Sequence, residues 1–153
     1  METTYQFTVL GLLRPVFRQE RKYTAEGTAY FVPINQEIPS SGIQALDRLV
    51  GEVHAGRNLT EIAPKMGVTI EGLSGFIRLL TGMNGHDFVK AYRLEMAVRL
   101  LRYTRMSVGQ VAQQCGYTQR NSLINAFQRA FHDTPSHYRQ SIRAKGDVGR
   151  YVR

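Results

Sequence analysis

Apolar residues recur at helical spacing through most of this chain, and the recurrence is interrupted in the same way twice. Leu73, Phe76, Ile77 and Leu80 form one inward stripe, and Leu123, Phe127, Ala130 and Phe131 form its counterpart further along. Each stripe follows a shorter helical pattern and a glycine. Leu59 to Met66 ends at Gly67, and the helix carrying Val108, Val111, Ala112 and Cys115 ends at Gly116. Asn58, Thr69 and Ser107 stand where a helix start needs a side-chain oxygen for its free N–H groups. Supporting helix, glycine turn and second helix make a helix-turn-helix, and the plan occurs twice between Leu59 and Arg139.

Between the copies, Phe88, Tyr92, Leu94, Ala97, Val98, Leu100 and Leu101 predict one long helix from Asp87 to about Tyr103. Its roughly 17 residues would extend about 26 Å, of the order of the ~34 Å between successive major-groove openings on one side of B-DNA. That length allows both copies to engage one duplex. The first copy has weaker components. Pro64 removes a hydrogen bond near the end of its supporting helix, and Gly72 and Gly75 each cost a reading helix about 1 kcal/mol relative to Ala.

Before the helices, Tyr5, Phe7 and Val9 alternate with polar residues, and Thr28 to Ile34 is rich in β-branched and aromatic side chains. Two short strands are predicted there, joined through a polar stretch around Gln19 to Glu26, as a hairpin that must pack on something else to be stable. Pro33, Pro39, Ser40, Ser41 and Gly42 mark a linker, after which Ile43, Leu46, Val50 and Val53 share one face of a further helix. The expected fold is therefore mainly α: a seven-helix double helix-turn-helix unit over residues 43–143, a β-hairpin-like extension over 1–42, and a basic, mobile tail over 144–153.

The faces opposite the apolar stripes carry the candidate chemistry. Arg120, Asn121, Ser122 and Asn125 are the expected base-reading residues of the second copy, since Asn pairs bidentately with adenine and Arg with guanine in the major groove. Glu71 and Ser74 are their counterparts in the first copy, where a carboxylate repels phosphate but accepts from cytosine N4. Arg78, Gln128 and Arg129 are assigned to phosphate. A solvated helix face has much the same composition, so a protein-interaction module on the same scaffold is the competing reading.

Charge supports the first reading. The formal net charge is +8, and residues 1–46 contain four basic and four acidic side chains, so the whole excess lies in the helical part. A cationic domain suits a polyanion partner. No apolar run approaches the ~20 residues of a membrane span, and no secretory signal is visible. Cys115 is the single cysteine and sits on an apolar helix side, as a core residue does. His54, His86, His132 and His137 show no metal-ligand spacing, and no phosphate loop or catalytic constellation can be assembled. The chain is expected to be no enzyme and to need neither metal nor other cofactor.

Taken together, Gly82, Tyr92-Arg93-Leu94, Ala97, Leu100-Leu101, Val111-Ala112, Gly116-Tyr117, Phe127, Phe131 and Thr134-Pro135-Ser136-His137-Tyr138-Arg139 resemble, in order and spacing, the AraC/XylS family of bacterial transcription regulators. The resemblance covers roughly residues 43 to 140. It implies two recognition helices in adjacent major-groove segments of double-stranded DNA, usually in an activator, with RNA polymerase as a possible further partner, in a bacterial cytoplasm at the nucleoid. The second recognition helix then corresponds to Gln119 to Phe131 and the first to Thr69 to Leu80. Where the family often has long polar side chains, the first helix has Ser74 and Gly75, so less base information is expected from it. Gly85 stands where the family commonly has Pro, and His132 where it commonly has Gly. Larger members carry a ligand-binding and dimerisation barrel for which 46 residues are too few, so no small-molecule pocket is expected. The extension is instead expected to serve self-association or partner docking.

Overall fold

The computed structural model describes residues 7–38, 40–143 and 149–152. Their contacts divide them into two compact units, one of residues 7–14 and 40–95, the other of 15–38, 96–143 and 149–152.

The first unit holds α1 (Val9–Leu12), α2 (Gln44–His54), α3 (Leu59–Lys65), α4 (Ile70–Thr81) and the first half of α5 (Gly85–Tyr103). The helix starts follow local chemistry. Asn58 accepts from the Glu61 N–H at 3.0 Å, Thr69 from the Gly72 N–H at 3.0 Å, and Asn84 from the Asp87 N–H at 2.8 Å. Leu46, Leu49, Val50, Val53, Leu59, Ile62, Leu73, Ile77 and Phe88 form the core. Tyr92 is buried with them, and its hydroxyl oxygen accepts the Arg14 N–H at 3.1 Å and lies 2.8 Å from His54 Nδ1. Desolvation of the phenol, opposed by the Arg14 N–H, pushes its pKa up to about 12.

The second unit contains the second half of α5, α6 (Val108–Gln114), α7 (Arg120–Phe131) and α8 (Pro135–Arg143), with β1 (Gln19–Tyr23), β2 (Ala29–Pro33) and β3 (Tyr151–Val152). Its core is Met96, Ala97, Leu100, Leu101, Val111, Ala112, Cys115, Leu123, Phe127 and Ile142. Cys115 is a buried free thiol, as expected. Arg139 on α8 donates to the carbonyl of Leu101 at 2.9 Å, an acceptor that the end of α5 leaves free, and to that of Met106 in the segment that follows. The sheet is antiparallel in the order β2-β1-β3.

The fold is mainly α with a small sheet, as expected, but three local expectations are corrected. Phe7 and Thr8 are not in a strand and Val9 begins a one-turn helix, while Tyr5 lies outside the described residues. The strand that pairs with β2 is instead the polar stretch Gln19–Tyr23, with Arg21 opposite Phe31. The second correction concerns the tail. Tyr151 and Val152 pair with Glu20 and Gln19, whereas residues 144–148 and 153 lie outside the described residues. Third, Ala130 and Phe131 are exposed, Phe131 resting on Phe127 at 4.8 Å between ring centroids. Only Leu123 and Phe127 of that stripe are buried.

Candidate nucleic-acid interface

Each helix-turn-helix copy is built by a capped supporting helix, a left-handed glycine and a reading helix that packs on the first. In the first copy Gly67, at φ 71°, turns the chain between α3 and α4, and the two helices pack together. In the second, Ser107 and Gln110 form a reciprocal capping box at the start of α6, Gly116 turns at φ 88°, and α6 packs on α7. Leu73 and Ile77 face inward on α4, and Leu123 and Phe127 take the corresponding positions on α7.

With the inward residues placed, helical geometry assigns the outward ones. On α7, Asn121, Asn125, Gln128 and Arg129 fall at i, i+4, i+7 and i+8, all exposed and opposite the buried pair. Arg120 is exposed at the first position of the helix, and Ser122 is half-buried at the edge of this face. On α4 the matching positions are Glu71, Gly75, Arg78 and Leu79. Among the described residues none of these side chains has an ion pair, so the α7 face offers two amides, a third amide and a guanidinium with their bonding capacity free. The α4 face offers one acid, one base and a leucine 76% exposed.

Leu79 was not among the expected contacts. Its register, eight residues beyond Glu71, marks it as outward, but a leucine reads by default as core. Ser74 is half-buried, and its hydroxyl accepts the Gly85 N–H at 2.8 Å. That bond also accounts for Gly85. A Cβ there would stand 2.5 Å from Leu59 Cδ1 and 3.3 Å from the Ser74 Cα, so close approach of α5 to α4 requires glycine. In the second copy the same two positions are Ile124 and Pro135, a pair with neither the hydroxyl nor the N–H.

The ends of the reading helices differ in the same way. Gly82 closes α4 at φ 78°, and its N–H donates to the Arg78 carbonyl. His132 closes α7 at φ 55° and ψ 35°, the one non-glycine residue with positive φ among those described. A histidine in this left-handed conformation puts strain in the backbone where the family commonly has Gly.

A family model described as a helix-turn-helix domain matches residues 52–141, well over half of the chain. The chain belongs to the AraC/XylS family. It is similar to the transcriptional regulator AlkR of Acinetobacter baylyi, 36% identical over 53 residues that make up 35% of this chain and 17% of that one. It is also similar to the xylose operon regulatory protein of Escherichia coli K12, 27% identical over 97 residues, 63% of this chain and 25% of the relative. Its fold resembles the DNA-binding domain of AdpA in complex with a target DNA, with a TM-score of 0.59 at 24% identity over 65% of this chain and 93% of that one. The chain spans a quarter or less of the length of these two curated relatives. As a member of this family it is placed among DNA-binding transcription regulators. No helix among the described residues is long and apolar enough to cross a membrane.

Proposed function

We propose that this chain is a sequence-specific regulator, and an activator, that reads double-stranded DNA mainly with α7. The observation that carries the reading is the outward face of α7, where Asn121, Asn125, Gln128 and Arg129 stand exposed on one side of a helix whose other side is core. Asn121 and Asn125, with Arg120 and Ser122 beside them, address base edges, while Gln128 and Arg129 hold phosphate. On α4, Glu71 addresses a base and Arg78 a phosphate; Ser74, committed to Gly85, sets the position of α4 more than it reads. The protein acts at a promoter in the bacterial cytoplasm, where RNA polymerase is the further partner an activator needs. Self-association through the N-terminal extension is part of the proposal, supported by the outer edge of β2, which pairs with no strand among the described residues.

The test is selection from a random duplex library with the intact chain, followed by affinity for the enriched site and for scrambled DNA at two salt concentrations. One strong box, or one strong and one degenerate box, is the expected outcome, with a slope of log K on log salt near −0.9 per phosphate neutralised. No enrichment would favour a second reading, a protein-interaction module, for which the exposed Leu79 on α4 is the supporting observation.

A further inference from the structure

We propose that the hollow between the sheet and α6 in the second unit binds a small amphipathic anion, an aromatic body carrying one acidic group. The cavity has a volume of about 840 Å³, within the range of sites that enclose small organic molecules. One wall is a single sheet face. Arg21 and Tyr23 alternate on β1, and Ala29 and Phe31 stand directly opposite them on β2, so all four side chains point the same way. The other wall comprises Thr104, Arg105 and Met106 before α6, and Gln110 and Gln114 on it.

Two features specify an anion. The Arg21 and Arg105 guanidinium groups converge: from the point where a Cβ on Gly149 would stand, Arg105 Nε is 2.7 Å away and Arg21 Nη1 3.3 Å. Two like charges brought toward one point repel, and among the described residues no carboxylate lines the cavity to offset them. Glu20, the acid next to Arg21 in sequence, pairs with Arg150 at 3.1 Å. Arg21 Nε is moreover sealed from solvent without a hydrogen-bond partner among the described residues. A buried N–H in that state is costly, so a small turn of the Arg21 side chain toward an acceptor in the hollow is favourable. A carboxylate or sulfonate supplies several acceptor positions at once, the geometry that guanidinium groups match best.

The rest of the lining specifies the body. Tyr23 and Phe31 are 56% and 49% exposed, so large ring areas lie open beside the cations. Tyr151 also lines the cavity, stacked on Phe17 at 4.6 Å and edge-on to Tyr103 at 5.2 Å, which holds its ring in one orientation. The Gln110 carbonyl oxygen accepts the Ser107 N–H at 2.9 Å, which leaves its NH₂ for an occupant. A ligand here touches α6, the supporting helix of the second copy.

The probe is 1-anilinonaphthalene-8-sulfonate, titrated by fluorescence into the intact chain beside its neutral analogue N-phenyl-1-naphthylamine. Saturable binding of one sulfonate per chain is expected, tighter than the neutral analogue. Arg21→Gln and Arg105→Gln should each weaken the sulfonate about tenfold and leave the neutral analogue unchanged, while Phe31→Ser weakens both. Lys90→Gln removes the same charge from an exposed site on α5 and should change neither. Arg105 is exposed, so its variant folds and reports even if Arg21→Gln does not. Absent or unsaturable binding, equal loss in Lys90→Gln, or displacement of the probe by one equivalent of random duplex DNA would overturn the proposal, the last by making the two arginines part of the nucleic-acid contact.

Discussion

The two helix-turn-helix copies share a scaffold and differ on the surface that scaffold presents. Leu73 and Leu123, then Ile77 and Phe127, hold the reading helices inward at matching positions. Outward, Glu71, Gly75, Arg78 and Leu79 on α4 stand against Asn121, Asn125, Gln128 and Arg129 on α7. Packing constrains the inner half of such a helix and leaves the outer half free, so what distinguishes one reading helix from the other lies on the outer half. The difference also reaches the following helix, where Ser74 with Gly85 in one copy replaces Ile124 with Pro135 in the other. Each pair is consistent within itself and mixed pairs are not.

The largest effect is expected from mixing them. Gly85→Pro gives the first copy the residue of the second, drives a ring into Leu59 and removes the donor to Ser74, so chemical denaturation should show a loss of about 1–3 kcal/mol. An unchanged midpoint would mean that α5 has room to move away. Next come the two helix ends, with opposite signs. Gly82→Ala forces a Cβ into the left-handed region and should cost about 1 kcal/mol, whereas His132→Gly relieves it and should add about 0.5–1 kcal/mol, both read from thermal unfolding. Equal signs would show that His132 makes up its backbone cost elsewhere. A similarly small gain is expected from Gly75→Ala, because a Cβ there meets nothing within 4 Å and the helix interior gains about 0.5–1 kcal/mol. If that variant also sharpened base preference, the softness of α4 rather than its poor surface would be what limits the first copy.

Helix boundaries were legible because their causes are local. Asn58, Thr69 and Ser107 each cap the helix that follows them, and each bond spans three residues. The recognition face of α7 was legible for the same reason, since helical register alone separates Asn121 and Asn125 from Leu123 and Phe127. The sheet was not. Gln19–Tyr23 has almost no apolar alternation, and it becomes a strand through β2 on one side and Tyr151–Val152, far along the chain, on the other. Long-range pairing leaves no periodic trace in the strand that accepts it. Phe131 misled in the opposite direction: its spacing put it in the stripe, but it lies in the last turn of α7 and is 47% exposed. Ser74 was recognised as an unusual residue for a reading position, yet its bond to Gly85 depends on how two helices approach and could not be read from either residue alone.

The central claim is that α7 carries most of the base discrimination. On the enriched duplex and on scrambled DNA, affinities of the intact chain would be compared for Asn121→Ala, Asn125→Ala, Glu71→Ala and Arg78→Ala. Each asparagine variant should lose about 1–3 kcal/mol on the enriched site and relax preference at one base pair, with little change on scrambled DNA. Glu71→Ala should lower the ratio between the two duplexes by less than either asparagine variant, and Arg78→Ala should leave it nearly as it was. A larger loss of that ratio from Glu71→Ala than from either asparagine would contradict the claim and transfer recognition to the first copy.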